Sequence, residues 1–310
     1  MNPKVSIIII SYNEKKYLPQ AVNSCLSQSY DNIEIIIGDD GSTDGSIEYI
    51  NSLGKEVHYF IMQRDNGPVI ASVRASNVIK RGLDEASGDY ILILSGDDYF
   101  TDFDFVSDAV SFLEKNKEYF AYVTGFQRVD ESGYIIDEIK IRKQSRSIYW
   151  SGSYTHISCF VFRKMHSDEL LVRMNDDTGL QYVLSYKGKW KFCKRTTLAY
   201  RQRENSIQHK VDLIEMAILE IMVFQDVLNY SKRHFYKESL ARFYRPFVFL
   251  VKRRKCLEST KYYKYIHSCE KYNNNIISYI IYKKKRKYVF KMFVCYIFFR
   301  IARILTNLFS

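Results

Sequence analysis

The β-branched run from Val5 to Ile10 shows no polar alternation, the pattern of a strand covered on both faces. Asn13 breaks it before a helical segment predicted over Lys15 to Ser29, in which Leu18, Ala21, Val22, Cys25 and Leu26 recur at helical spacing. A second buried run, Ile33 to Ile37, leads into Asp39-Asp40-Gly41-Ser42-Thr43-Asp44, where Ser42 or Asp44 can cap the next helix. A strand near Val57 to Met62, a helix around Val69 to Ala86 and a strand from Tyr90 to Leu94 follow, the last ending in Ser95-Gly96-Asp97-Asp98. Further strands are predicted at Tyr119 to Val129 and Ser158 to Phe162, and a helix from Asp177 to Tyr186 opened by acidic residues.

Strands alternating with helices imply an α/β fold with a mainly parallel sheet flanked by helices. Parallel strands joined by helical crossovers point the same way, so the loops after Ile37 and Leu94 leave one sheet edge together. Two acidic clusters thereby face one crevice.

Charge divides the chain. Residues 210–310 hold 21 Lys and Arg against 7 Asp and Glu, a surplus of 14, whereas residues 1–209 hold 25 against 28. The boundary predicts an α/β domain over 1–209 and a mostly helical basic region over 210–310, which has few turn signals and only Pro246 as proline. The cysteines Cys25, Cys159, Cys193, Cys256, Cys269 and Cys295 stand singly, without zinc-type spacing, which suits a reducing, cytoplasmic setting. No stretch reaches the roughly 18 uncharged apolar residues that span a bilayer.

Several acids at one sheet edge repel unless a cation or hydrogen-bond donors lie between them. Mg²⁺ or Mn²⁺ bound to diphosphate oxygens meets that need, since such ions take one or two carboxylates and fill the remaining positions with phosphate and water. Asp97 and Asp98 supply that number. Each acidic stretch taken alone also reads as a strand-end turn whose acids cap a helix; the pairing at matching strand ends favours the metal and nucleotide.

The segments VSIIIISYNE, IEIIIGDDGSTDGS and GDYILILSGDD, in this order and spacing, resemble the nucleotide-sugar domain of family 2 glycosyltransferases over residues 3–205. The resemblance implies the GT-A fold and a metal-dependent, inverting transfer from a nucleotide-sugar. It places the nucleotide on Ser11 and Tyr12 at the end of the first strand and on Asp40, matching the carboxylate that contacts the base. A carboxylate accepts the imide N–H of uracil or thymine, so a UDP-sugar or a dTDP-sugar is the implied donor. The family's acidic stretch begins with Asp where this chain has Ser95, which assigns the metal mainly to Asp98 with Asp97 assisting. Arg74 is a candidate for the diphosphate, with a solvated helix face as the alternative. MNDDTGLQYVLSYKGKWKF resembles the family's acidic pair that opens an amphipathic helix, and Asp177 matches the catalytic base; Asp176 and Asp177 complementing the helix dipole is the alternative. Ser206 and Gln208 match a segment that closes over the diphosphate. His156, His209, Trp150 and Trp190 receive no site role.

Beyond Lys210 the resemblance fades. Lys252-Arg253-Arg254-Lys255 and Lys283-Lys284-Lys285-Arg286-Lys287 precede YVFKMFVCYIFFRIARILTNLFS, where Arg300, Arg303 and Asn307 share one helical face. A cationic cluster beside an aromatic amphipathic helix suits an anionic membrane surface. Nucleic acid is the less favoured partner and a helical extension of the core the bland alternative. The expectation is therefore an inverting glycosyltransferase, peripheral on the cytoplasmic membrane face, acting on a glycan or lipid-linked acceptor in capsule, O-antigen or lipooligosaccharide synthesis. A non-catalytic nucleotide-fold protein whose basic tail grips RNA or lipid is the alternative, and a glycoside hydrolase would leave the strand-end motifs unexplained.

Overall fold

The computed structural model describes residues 2–63, 71–141, 156–166, 180, 181, 184 and 187–203. The basic region 210–310, with its expected helices, lies outside them, as do Asp177, Ser206, Gln208, His209 and Trp150. Among the described residues no helix is long and apolar enough to cross a membrane.

One nine-stranded mixed sheet organises the domain. Its parallel half is β1 (Val5–Ser11), β2 (Ile33–Asp39), β3 (His58–Ile61) and β4 (Tyr90–Ser95), in the order β3-β2-β1-β4. The other half adds β5 (Tyr99–Phe100), β6 (Tyr119–Val129), β7 (Ile135–Ile139), β8 (Phe160–Arg163) and β9 (Lys189–Arg201), continuing β4-β8-β6-β9-β5 with β7 beside β6. The α/β class is as expected, but the parallel arrangement stops at β4. There β8 pairs antiparallel with β4 and β6, while β6 and β9 run parallel.

The helices are α1 (Leu18–Leu26), α2 (Ser46–Ser52), α3 (Ala71–Glu85) and α4 (Phe105–Lys115). Alternate residues of one strand serve two cores, because successive strand side chains point to opposite faces. Ile7 and Ile9 pack with Leu18, Ile50, Phe105 and Val110 on the face carrying α1, α2 and α4, while Ile8 joins Val78 and Leu83 of α3 on the other. The continuous apolar run of β1 follows from burial on both sides. Helix α1 is shorter than the segment predicted from Lys15 to Ser29 and starts at the first apolar position, Leu18, with Pro19 in its first turn, where a missing N–H costs nothing. Neither Ser42 nor Asp44 is the N-cap of α2. Gly45 holds that position at φ 94°, while the Asp44 carboxylate accepts the Ser46 N–H at 3.0 Å. Of the helix expected over 177–186, Leu180, Gln181 and Leu184 are described and buried, the two leucines within the core on the α3 face.

At the opposite sheet edge from the acidic loops, Glu34 ties β2 to the approach of β4. Its carboxylate accepts from Ser6 Oγ at 2.5 Å, Ser87 N at 2.6 Å and Ser87 Oγ at 2.7 Å, with Lys4 Nζ at 2.6 Å. Burial alone would raise its pKa, but the bonds from Lys4, Ser6 and Ser87 outweigh that and hold it at about 2. A carboxyl depressed on folding stabilises above its unfolded value, and that contribution is lost as pH falls through about 2. Glu34→Gln should therefore lower stability on the order of 1 kcal/mol near pH 7, after screening of a partly exposed group, with the difference shrinking below the ordinary carboxylate range. Urea unfolding at neutral and acid pH measures it; a pH-independent difference would contradict it.

Candidate active site

In open α/β sheets ligands sit outside the carboxyl ends of the strands where strand order reverses, and here that point lies between β1 and β4. Register brings the ends together: Ser11 pairs with Asp39, and Ile10 with Ser95. Past the ladders, Asp40 N donates to Ser11 O at 2.9 Å and Gly96 N to Ile10 O at 2.8 Å. The three loops thus leave the sheet fixed to one another.

Short polar side chains stitch the first two loops. Asn13 N donates to Ser42 Oγ at 2.8 Å, Thr43 N to Asn13 Oδ1 at 2.8 Å, Glu14 N to Ser46 Oγ at 3.1 Å and Lys15 N to Asp44 Oδ2 at 3.0 Å. Asp39, fully buried, accepts from Ser42 N at 2.8 Å and Ser42 Oγ at 2.6 Å. Asp39, Ser42 and Asp44 are therefore scaffold, which leaves Asp40 as the carboxylate of this stretch available to a ligand.

Asp40 is not alone. Arg74 Nε, from the start of α3, donates to its Oδ2 at 2.6 Å, and both side chains are about nine-tenths buried. The solvated helix face considered for Arg74 is thereby replaced by a buried ion pair at the β2 end. Ser11 is buried, its hydroxyl without a hydrogen-bond partner among the described residues, and Tyr12 beside it is half-buried.

The loop after β4 carries Asp97 and Asp98 into a second cluster. Strand β5 pairs Tyr99 with Ala199 and Phe100 with Leu198, so the end of β9 lies alongside the two acids. Arg201 N donates to Asp98 Oδ1 at 2.9 Å and Arg201 Nε to Asp97 O at 2.9 Å. Arg203 bridges Glu14 Oε1 at 3.0 Å and Asp97 Oδ2 through Nη2. His156 Nε2 stands 3.7 Å from Asp98 Oδ2. Its Nδ1 accepts the Ser158 N–H at 3.3 Å, which assigns the proton of the neutral ring to the nitrogen facing Asp98.

The electrostatics follow from burial and mutual repulsion. Asp98 is 1% exposed, and burial followed by the Asp97 charge pushes its carboxyl well above the ordinary range. Glu14 is pushed up by the same two causes. Burial lowers His156 to about 4 despite the nearby Asp97, so the ring is neutral at pH 7. Burial opposes the charge of Arg203, but Asp97 and Glu14 outweigh it and keep the guanidinium charged. Asp98 Oδ2 and Glu14 Oε2 have no hydrogen-bond partner among the described residues.

Buried carboxylate oxygens without donors fit a hard cation whose other ligands are phosphate and water. Among the described residues no group of three or more His, Cys, Asp or Glu side chains is placed to hold a metal ion. The structure brings Asp97 and Asp98 together at the β4 end and pairs Asp40 with Arg74 at the β2 end.

Glu14, Arg201 and Arg203 carry no signal in the sequence pattern, and His156 receives no site role there. Glu14 packs over Gly96, where a Cβ would meet Glu14 Oε2 at 2.4 Å and Ile10 O at 3.1 Å. Trp190 packs edge-on against Phe160 at 5.1 Å, in the core rather than at the site.

The sequence profile described as Glycosyl transferase family 2 matches residues 6–171. An "Uncharacterized glycosyltransferase" of Haemophilus influenzae is 43% identical over 117 residues, 37% of this chain and 44% of that protein. The GalNAc(5)-diNAcBac-PP-undecaprenol β-1,3-glucosyltransferase of Campylobacter jejuni is 24% identical over 286 residues, 86% of this chain and 87% of that one. Among solved structures, Staphylococcus aureus TarS 1–349 in complex with UDP-GlcNAc aligns with TM-score 0.56 and 16% identity over 80% of this chain and 81% of that chain. The sheet and its strand-end loops define a GT-A domain. The chain belongs to glycosyl transferase family 2.

Proposed function

We propose that this protein moves a sugar from a UDP-sugar, with a dTDP-sugar as the related alternative, to a hydroxyl of a glycan or lipid-linked acceptor with inversion at the anomeric carbon. The observation that carries the proposal is the convergence of Asp40, Asp97, Asp98 and Glu14 at the β1/β4 switch point, with the buried oxygens Asp98 Oδ2 and Glu14 Oε2 making no hydrogen bond among the described residues. The UDP-GlcNAc bound by TarS and the diphosphoundecaprenol-linked acceptor in the name of the Campylobacter relative support the donor and acceptor classes.

Asp40 would accept the imide N–H of the base while Arg74 fixes its carboxylate from the side. Asp98, with Asp97 assisting, would hold Mn²⁺ or Mg²⁺, which would offset charge growing on the departing nucleotide. Ser11 and Tyr12 border the base. Asp177 would take the proton of the acceptor hydroxyl as that oxygen attacks from the face opposite the nucleotide.

The basic end, from about Lys283, would dock the enzyme on an anionic, cytoplasmic membrane surface, its charges screened over about 8 Å at physiological salt and its apolar residues not screened at all. The surface-glycan pathway stays part of the proposal through the lipid-linked acceptor class. One donor screen tests the reading: nucleotide release from UDP-, dTDP-, GDP- and ADP-sugars with Mn²⁺, in anionic and in neutral vesicles. The expected result is turnover with a UDP- or dTDP-sugar and co-sedimentation with anionic vesicles alone. Turnover confined to purine donors contradicts the Asp40 assignment, and equal partition onto neutral vesicles contradicts the docking surface.

A further inference from the structure

Arg203 occupies the position that the acid cluster would otherwise leave to a cation. Nη2 of its guanidinium lies against Asp97 Oδ2 and 3.0 Å from Glu14 Oε1, and the side chain is 18% exposed. Neighbouring groups fix it there. Its guanidinium carbon is 5.4 Å from the Tyr17 ring centroid, and that of Arg201 is 4.7 Å from the same centroid. Arg201 is spoken for elsewhere, donating to Asp97 O, Glu131 O at 2.8 Å and Gln20 Oε1 at 2.7 Å, so it cannot move to the carboxylates without breaking those bonds. Among the described residues, Arg203 alone bridges Glu14 after β1 and Asp97 after β4, 83 residues apart in sequence. Two oxygens of the same cluster, Glu14 Oε2 and Asp98 Oδ2, stay buried and without a hydrogen bond among the described residues.

A guanidinium on Asp97 and a divalent ion on the same carboxylate repel each other at a few ångströms, so the two compete. A diphosphate changes the competition, because its oxygens match the guanidinium fork and bring negative charge for both cations. We propose that Arg203 is a resident counter-ion of the donor site: it holds Asp97 and Glu14 until the donor's diphosphate draws it off, so that metal and nucleotide enter together rather than metal first. This rests on the metal-dependent donor site proposed above.

Binding free energies are reciprocally linked, so a residue that opposes metal alone and is relieved by nucleotide makes each favour the other. The test is Mn²⁺ binding to the full chain without nucleotide, by electron paramagnetic resonance of free Mn²⁺, for wild type, Arg203→Gln and Arg203→Lys. The expected result is Mn²⁺ affinity at least tenfold higher in Arg203→Gln, with UDP then raising it less than in wild type. Arg203→Lys keeps the charge but loses the fork, and should fall between the two. Should Arg203→Gln fail to fold, judged by circular dichroism and thermal unfolding, the lysine variant carries the decision by its own rise in Mn²⁺ affinity. Unchanged or weaker Mn²⁺ binding in the folded variants overturns the proposal. UDP binding to wild type with Mn²⁺ present reads the donor site separately, so loss of that signal would count against the donor site and not against Arg203.

Discussion

Asp177→Asn is expected to slow sugar transfer roughly 10²-fold or more while leaving UDP affinity within about twofold, the split that marks a group acting in the transition state. The substitution keeps size and hydrogen-bonding shape but removes the basic lone pair that takes the acceptor proton. The proposed inverting displacement would have no covalent enzyme intermediate to fall back on, so loss of a base at Asp177 would not be made good by the strand-end cluster. Glu14 and Asp98 would not substitute: both are buried and held by Arg203 and by the Arg201 backbone. Single-turnover kinetics with the donor found in the screen, alongside calorimetry with UDP, separates the two quantities. Equal loss of UDP affinity would move Asp177 from the chemistry to the donor pocket, and normal turnover would remove it from the mechanism.

The second large effect belongs to Asp98. Alanine there would remove the acceptor for Arg201 N and leave a buried N–H unsatisfied, so loss of binding could reflect a disturbed loop. Asp98→Asn retains an oxygen for Arg201 N and removes only the charge. It should reduce metal-dependent UDP affinity at least tenfold, with little change in thermal stability, because burial and Asp97 already penalise that charge in the fold. A variant with wild-type affinity for UDP and Mn²⁺ would transfer the metal to Asp97 or rule it out of the pocket.

The parts of the fold that are legible in the sequence are those whose pattern is set by burial on both faces. Val5–Ser11, Ile33–Asp39 and Tyr90–Ser95 are apolar because helices cover both sides, and an apolar run bounded by Asp and Gly has few other readings. Their parallel pairing then places Asp40 and Asp97-Asp98 at one edge by topology alone. Helix α4 had its signal in Phe105, Val106, Ala109, Val110 and Leu113, all buried at helical spacing, but it follows the acidic loop and was not singled out.

Strand β9 is harder. Its first eight residues, Lys189 to Thr196, are half-buried or exposed, and lysines alternate with aromatics in a way that also suits a surface loop. Only the segment from Thr197 is core-like, paired with β6 on one side and with the two-residue β5 on the other. The positions of Arg201 and Arg203 depend on that β5–β9 register, about a hundred residues from the acids they meet, and local periodicity carries no information about it. His156 is similar: its place beside Asp98 follows from β8 inserting between β4 and β6.

The proposed site is a pyrimidine diphosphate pocket completed by a divalent cation at the β1/β4 crevice. Isothermal titration calorimetry of the intact chain with UDP, in Mn²⁺ and again in EDTA, with GDP and ATP as controls, tests it most directly. UDP should bind in Mn²⁺ and lose most of its affinity in EDTA, with GDP and ATP weaker under both conditions. Equal binding of the three nucleotides, indifferent to chelation, would contradict it.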